Sequence, residues 1–236
     1  MDKILAIIPA RSGSKRLIDK NIMCLQEKPL IAWSIEAALK SKFIDEVVVS
    51  TDSFKYANIA KYYGASIPFI RKNTLALDST PTFDVIEDII KFYNFKEIKY
   101  KYIILLQPTS PLRNEKHIDE AIKLFFFKKA NSIISVCECE HSPLWTNVLP
   151  NNDSMDNFMK EDIKNLRSQD LPKYYRLNGA IFIAEISNYL KYKSFFMPNS
   201  FAYKMNIEES VDIDTRIDFL MAEILLKNKK GNFDED

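Results

Sequence analysis

Ile4-Leu5-Ala6-Ile7-Ile8, followed directly by Pro9-Ala10-Arg11-Ser12-Gly13-Ser14-Lys15-Arg16, is the stretch that decides the fold of this 236-residue chain. An unbroken apolar run of this length is typical of a strand buried on both faces, as strands are in parallel sheets. The polar turn that follows, with its glycine, serines and cations, is typical of a loop at the carboxyl end of such a strand, where ligands bind. The opening stretch therefore predicts an α/β protein with a ligand-binding loop behind its first strand.

Short apolar runs alternate with helical patterns along the rest of the chain, as in βαβ units. The further predicted strands are Val47–Thr51, Ile67–Ile70, Tyr102–Leu106, Ser132–Val136 and Ala180–Ala184, and the helices predicted between them are Leu30–Lys40, Phe54–Tyr63, Phe83–Tyr93 and Ile118–Phe127. The pattern predicts the α/β class, with residues 1–236 forming one domain. We expect a Rossmann-like, mostly parallel sheet flanked by helices.

Two parts of the chain add to this pattern. Near its end, five apolar residues recur at helical spacing, which predicts a helix packed on the sheet. They are Ile217, Leu220, Met221, Ile224 and Leu225. Between residues 141 and 175 the periodicity stops and proline, asparagine and aspartate accumulate, which indicates an inserted arm.

Charge and cysteine content exclude several classes of protein. Lys and Arg number 33 against 32 for Asp and Glu, so the chain lacks the basic excess of nucleic-acid binders. Three cysteines are too few for a secreted disulfide scaffold. No apolar run approaches the roughly 20 residues needed to span a bilayer. We expect a cytoplasmic protein that binds neither nucleic acid nor membranes.

The loop after the first strand is the first candidate site. It carries Arg11, Lys15, Arg16 and Lys20, enough positive charge to match a triphosphate, and a Gly/Ser turn presents N–H groups to anions. The Walker A and dinucleotide glycine patterns are both absent. A solvated basic loop remains the alternative.

Asp212-Ile213-Asp214 is the second candidate site. If the segment is extended, both carboxylates lie on one face and can share a hard cation such as Mg²⁺ together with phosphate oxygens. The alternative is that Asp214 only caps the following helix.

A third candidate is the loop Gln107–Arg113, which follows a predicted strand and contains two prolines. Gln107 can donate to and accept from a base, and Arg113 adds a cation; a stiff connector is the alternative reading. Asn178-Gly179 is either a turn or a ligand for a sugar hydroxyl.

These motifs, in this order, resemble the acylneuraminate cytidylyltransferase family, and the similarity runs from Ile4 to about Leu226. Ile8 to Lys15 resembles the family's nucleotide loop, Leu106 to Arg113 its L-Q-P-T-S-P-L-R signature, and Ser210 to Asp214 its magnesium-binding D-x-D. The resemblance implies transfer of CMP from CTP to the anomeric hydroxyl of a sialic-acid-like sugar, with Mg²⁺ as cofactor. It also implies a homodimer, with residues 141–175 as its dimerisation arm.

The resemblance assigns roles residue by residue. The nucleotide-binding residues would be Arg11, Ser12, Gly13, Lys15, Lys20, Asn21, Arg71, Thr80, Thr82 and Gln107; the metal ligands Asp212 and Asp214; and the sugar-binding residues Gln169, Tyr175, Asn178, Phe182, Phe195 and Phe196. Arg11 and Lys15 would stabilise the leaving pyrophosphate, and Asp214 is the candidate general base.

Two departures from the family pattern concern the sugar. Trp145 stands where N-acetylneuraminate enzymes often have lysine, and Ser168-Gln169-Asp170-Leu171-Pro172 replaces R-Q-x-L-P. An indole cannot pair with polar groups as an ammonium does, so legionaminic or pseudaminic acid is a serious candidate substrate. The alternatives are a KDO cytidylyltransferase, a D-x-D glycosyltransferase and a nucleotide-binding module without turnover.

Overall fold

A computed structural model describes residues 2–231; Met1 and residues 232–236 lie outside the described part. The strands are β1 (Ile4–Pro9), β2 (Cys24–Leu25), β3 (Lys28–Pro29), β4 (Glu46–Ser50), β5 (Tyr102–Leu105), β6 (Ser132–Glu138), β7 (Tyr175–Glu185) and β8 (Ser200–Met205). The helices are α1 (Leu30–Lys40), α2 (Phe54–Tyr62), α3 (Thr82–Phe95), α4 (Glu115–Phe127), α5 (Ile186–Tyr192) and α6 (Arg216–Gly231).

Six of these strands form one sheet in the order β4-β1-β5-β7-β6-β8, while β2 and β3 form a separate hairpin. β1 runs parallel to both β4 and β5, with Ala6 opposite Val47 on one side and Ile104 on the other. β7 is antiparallel to β5 and β6, and β8 is parallel to β6. The predicted mostly parallel α/β sheet is confirmed, and the loops after β1 and β5 emerge at the same edge.

The core has two layers because successive side chains of β1 point to opposite faces of the sheet. Ile4, Ala6 and Ile8 pack with residues of α1, α2 and α4. Leu5 and Ile7 pack on the other face with residues of α3 and α5. This double burial explains why the central strands are apolar throughout.

The predicted strand Ile67–Ile70 is wrong. Only Ser66 bridges to β4, where it accepts from the Val49 N–H at 3.0 Å and donates to the Val47 carbonyl at 2.8 Å. Pro68 has no N–H to continue the ladder. Another difference is β8, which the sequence did not predict and which lies at the sheet edge.

The predicted apolar stripe of the last helix is also wrong in its orientation. Ile217 is 75% exposed, and Leu220, Met221 and Ile224 are exposed as well. The buried face of α6 instead comprises Phe219, Ala222 and Leu226, which pack with Leu25, Leu30, Leu112 and Ile213 away from the main sheet. None of the described helices combines the length and apolar character needed to cross a bilayer.

Residues 139–174, between β6 and β7, contain two short 3-10 turns, Pro143–Trp145 and Ser168–Asp170, and no strand. Val148 is 87% exposed, whereas Ile163 and Leu171 are buried. The chain between these two strands is therefore irregular. Its role in dimerisation stays a prediction.

Candidate functional site

A cavity of about 440 Å³ opens where β1 and β5 end, a volume suited to a small molecule. Its walls come from the loop after β1, residues 71–85, the loop after β5 and the extended segment before α6. It brings together predicted nucleotide ligands and both predicted metal ligands. These are Arg11, Lys20, Asn21, Arg71, Thr80, Thr82, Gln107, Asp212 and Asp214.

The loop after β1 is held by the end of β4. Ser12 donates its backbone N–H to Asp52 Oδ1 at 2.9 Å and its hydroxyl to Asp52 Oδ2 at 2.7 Å. Burial alone would raise the pKa of Asp52, but the hydrogen bonds from Ser12 and the Asp52 backbone, together with the charge of Arg71, lower that pKa overall. Ser12 thus shapes the loop from outside the cavity lining. An added Cβ at Gly13 would meet nothing within 4 Å, so packing does not require glycine there.

The cations of this loop divide into two pairs, each facing a carboxylate. Arg11 forms an ion pair with Asp78, and Lys15 Nζ lies 2.6 Å from the other oxygen of Asp78. Lys15 does not line the cavity itself, but it contacts Asp78, which does.

The second pair faces Asp214. Lys20 Nζ lies 2.9 Å from Asp214 Oδ1 and donates to the Ile213 carbonyl at 2.7 Å, while Arg16 lies 3.0 Å from Asp214 Oδ2. Asn21 is buried and donates to the Arg11 carbonyl at 3.1 Å. These contacts connect the basic loop directly to the acidic segment.

Arg71 is a buried cation in the cavity wall. Its backbone N–H donates to the Thr51 carbonyl at 2.8 Å, which continues the edge of β4. Its Nε and Nη2 have no hydrogen-bond partner, and the nearest carboxylate, Asp52, lies 3.8 Å away. Burial lowers the pKa of Arg71. Unused donors beside a cavity fit the predicted contact with a polar ligand.

Gln107 lies against Gly179 of β7. Gly179 has φ +71°, and a Cβ added there would lie 2.6 Å from Gln107 Oε1 and 3.4 Å from Asp212 Oδ2. The close approach to Gln107 and the positive φ both favour glycine here, whereas the spacing to Asp212 would be an ordinary contact. From behind, the Ser34 hydroxyl donates to the Gln107 carbonyl at 3.1 Å.

Arg113 does not supply a cation to the cavity, contrary to the sequence-based prediction. Its side chain is 1% exposed and donates to Ser34 Oγ at 2.5 Å, behind the loop. Burial lowers its pKa to about 9. Arg113 therefore supports the Gln107 loop from inside the protein.

The acidic segment places its two carboxylates on one side, as an extended chain would. Asp212 and Asp214 line the cavity, while Ile213 between them is fully buried on the opposite side. Asp214 is not the helix cap, because Thr215 and Asp218 form that cap: Asp218 Oδ2 accepts the Thr215 N–H at 2.6 Å, and Thr215 Oγ1 accepts the Asp218 N–H at 3.3 Å. The capping alternative for Asp214 is thereby excluded.

The two aspartates fit a divalent cation. Asp212 Oδ1 is buried without a hydrogen-bond partner, and burial raises the pKa of Asp212 despite a hydrogen bond from Thr109. The described residues contain no group of three or more metal-binding side chains. Two carboxylates completed by substrate oxygens and water is the arrangement that Mg²⁺ prefers.

The predicted sugar-binding residues do not line this cavity. Asn178 is 1% exposed; its Oδ1 accepts from the Ser135 hydroxyl at 2.6 Å and its Nδ2 donates to Ser210 Oγ at 2.9 Å. Phe182 and Phe195 pack together in the core, with ring centroids 5.4 Å apart, and Phe196 is exposed. Gln169 and Tyr175 line two separate clefts outside the cavity. Their role in sugar binding stays a prediction.

Sequence reasoning missed Asp78 as a residue of the site, and it noted Thr109 only as part of a motif. Asp78 is an isolated aspartate in a loop without periodicity, so no pattern marked it. Thr109 lies in the Gln107 loop, and its carbonyl accepts the Ile213 N–H at 2.9 Å, which places the acidic segment beside that loop.

The family model described as cytidylyltransferase matches residues 5–235. The chain is 41% identical over 230 residues to N-acylneuraminate cytidylyltransferase of Escherichia coli, covering 97% of this chain and 53% of that protein. It is 38% identical over 232 residues to CMP-N,N'-diacetyllegionaminic acid synthase of Legionella pneumophila, covering 95% of this chain and 97% of that protein. The chain thus spans about half the length of the first relative and nearly all of the second.

Among solved structures, CMP:2-keto-3-deoxy-manno-octonic acid synthetase complexed with CTP superposes with a TM-score of 0.71 at 17% identity, covering 96% of this chain and 99% of that one. That likeness supports the fold alone. The family model and the two relatives, which cover nearly the whole chain, confirm the resemblance seen in the motifs: this chain belongs to the cytidylyltransferase family.

Proposed function

We propose that this chain transfers CMP from CTP to the anomeric hydroxyl of a nonulosonic acid and releases pyrophosphate. The observation that carries the proposal is the meeting of a cationic loop and two aspartates across one cavity, where Lys20 and Arg16 contact Asp214 directly. A triphosphate, a metal ion and carboxylates need one another in such a reaction, and the named relatives are similar to this chain over nearly its whole length.

The residues of the cavity support a positioning mechanism. The sugar hydroxyl would attack the α-phosphate in line, while Arg11 and Lys15 neutralise the charge that develops on the departing pyrophosphate. Asp214 is the proposed acceptor of the hydroxyl proton. When bound at Asp212 and Asp214, Mg²⁺ would supply charge neutralisation at the α-phosphate.

The position of the predicted sugar-binding residues supports a proposal of dimerisation. In a single chain the predicted sugar ligands lie outside the CTP cavity, and the insertion between β6 and β7 exposes apolar side chains such as Val148 and Met155. We propose that this insertion is the arm of a homodimer.

Because Cys24, Cys137 and Cys139 are all free thiols, we also propose that the protein works in the cytoplasm.

For the sugar, we propose a 5,7-diacylamino nonulosonic acid, such as legionaminic or pseudaminic acid. Trp145 is half-buried within the insertion, where an indole favours an apolar substituent over a polyhydroxylated tail. In a hydrophobic pocket, one added methyl or methylene group is worth about 1–3 kcal/mol. We therefore expect a preference of about tenfold rather than exclusion of N-acetylneuraminic acid.

Pyrophosphate release from CTP tests the proposed reaction and the proposed sugar when N-acetylneuraminic, legionaminic, pseudaminic and KDO acids are compared as substrates. Turnover only with KDO would move the enzyme to another substrate class, and CTP binding without turnover would indicate a binding module. The Trp145→Lys variant addresses the sugar. A wild-type preference for N-acetylneuraminic acid that this variant leaves unchanged would contradict the role of Trp145.

A further inference from the structure

We propose that the Asp78 carboxylate competes with the triphosphate of CTP. In the free enzyme it pairs with Arg11 and Lys15, and it must leave them before CTP can bind. The proposal rests on the proposed role of Arg11 and Lys15 as triphosphate ligands. It gives Asp78 a role in setting the affinity for CTP.

Asp78 contacts both cations through separate oxygens. Oδ1 pairs with Arg11, and Oδ2 lies 2.6 Å from Lys15 Nζ. Hydrogen bonds from Lys15 and then from Arg11 lower the pKa of Asp78, so its carboxylate is ionised at neutral pH. Asp78 also lines the cavity, on the side of the basic loop.

The segment that carries Asp78 is held loosely. None of the residues 72–82 is buried. The hydrogen bonds within it are local: Leu75 N–H to the Lys72 carbonyl at 2.9 Å, and Thr80 N–H to the Leu77 carbonyl at 3.1 Å. At one end Arg71 ties the chain to β4, and at the other α3 begins at Thr82. Such a segment can move without disturbing the core.

A phosphate group and the Asp78 carboxylate are both anions that use the same donors. They cannot occupy Arg11 and Lys15 together without repulsion, so CTP must displace the carboxylate. Removing the charge of Asp78 should therefore tighten CTP binding. Because the two ion pairs are partly exposed, we expect a gain of about threefold to tenfold rather than orders of magnitude.

The test compares dissociation constants of wild type and Asp78→Asn by titration calorimetry, with CTP, pyrophosphate and cytidine as ligands, in Mg²⁺ and in EDTA. Asp78→Asn should bind CTP and pyrophosphate about threefold to tenfold more tightly in both buffers, with cytidine unchanged. Asp2→Asn is the matched control, because Asp2 forms a similar ion pair with Lys101, at 2.8 Å, beyond the opposite end of β1. That control should leave all three ligands unchanged.

Two results would overturn the proposal. Weaker CTP binding by Asp78→Asn in Mg²⁺ alone would make Asp78 a ligand of the metal-bound triphosphate, and unchanged affinity for CTP would remove the competition. Arg11→Ala and Lys15→Ala separate this failure from that of the proposed function. If they weaken CTP binding while Asp78→Asn has no effect, only the competition is wrong. If they leave CTP binding intact, the triphosphate assignment fails with it.

Discussion

Replacing Gly179 with alanine should separate the positioning of Gln107 from the stability of the fold. Gly179 has φ +71°, a conformation that costs a residue with a Cβ about 1–2 kcal/mol. Its new methyl group would also lie 2.6 Å from Gln107 Oε1, where ordinary contacts begin at 3.4 Å. The Gln107 amide must therefore retreat by about 0.8 Å, the difference between these two distances.

The two consequences have different sizes. For a protein of this length, each kcal/mol lowers Tm by about 2–4 °C, so Gly179→Ala should lower Tm by about 2–8 °C. A displacement near 1 Å in a substrate-positioning group can cost up to about 100-fold in rate. We expect kcat/KM for CTP to fall about tenfold to 100-fold.

Gly64→Ala is the matched control. Gly64 also has a positive φ, +94°, and its added Cβ would meet only Leu39 Cδ1 at 3.0 Å. Leu39 is half-exposed and lies on α1, outside the cavity lining, so it can move freely. Thermal melts and pyrophosphate release, measured on both variants, give the two readouts.

The predicted pattern is a similar loss of Tm in both variants and a loss of activity in Gly179→Ala alone. Equal kcat/KM values in the two variants would refute the role of Gln107 in binding substrate. An unchanged Tm in Gly179→Ala would instead contradict the strained backbone at this position.

Two further changes test the electrostatics. Burial raises the pKa of Asp212, so its ionised form destabilises the metal-free fold once the pH exceeds about 4. Asp212→Asn should therefore raise Tm at pH 7 in EDTA while losing most turnover. A lower Tm of this variant would contradict the destabilising effect of the Asp212 charge. Burial lowers the pKa of His117, which accepts the Asn114 N–H in the cap of α4, so the unfolded chain takes up a proton that the fold excludes. Wild type should therefore lose stability as the pH falls below about 6.5. His117→Gln keeps an acceptor in the cap, so its free energy of unfolding in urea should depend less on pH between about 7 and 5. An equal pH dependence in the two proteins would contradict this assignment.

The sheet was predictable where burial on both faces leaves an unbroken apolar run, as in β1 and β5. Its strand directions were not, because the run Ala180–Ala184 has the same composition whether β7 is parallel or antiparallel. α6 shows a related ambiguity. Its sequence carries two apolar stripes at helical spacing, and only its contacts with Leu25 and Ile213 select the one containing Phe219.

The cavity was predictable where cations follow a strand end, as for Arg11, because parallel strands deliver such loops to one edge. Asp214 was instead marked by its spacing from Asp212 before the last helix. Arg113 was misplaced because its loop turns the side chain inward to Ser34, a direction that composition does not reveal. The hydrogen bonds of the Asn178 amide with Ser135 and Ser210 were also not predictable, because these partners lie far away along the chain; its role in sugar binding stays a prediction.

The cavity explains why a net charge of +1 conceals an anion site. The cations of the basic loop face carboxylates at both ends, Asp78 beside Arg11 and Lys15 and Asp214 beside Arg16 and Lys20, so part of the positive charge of the loop is balanced within the site. A triphosphate that replaces Asp78 at one end brings further negative charge toward Asp212 and Asp214 at the other. Asp212 keeps a buried oxygen without a hydrogen-bond partner, which the proposed metal ion would use if it arrives with the nucleotide. On the proposed function, the arrangement would favour the metal-bound triphosphate over either component alone.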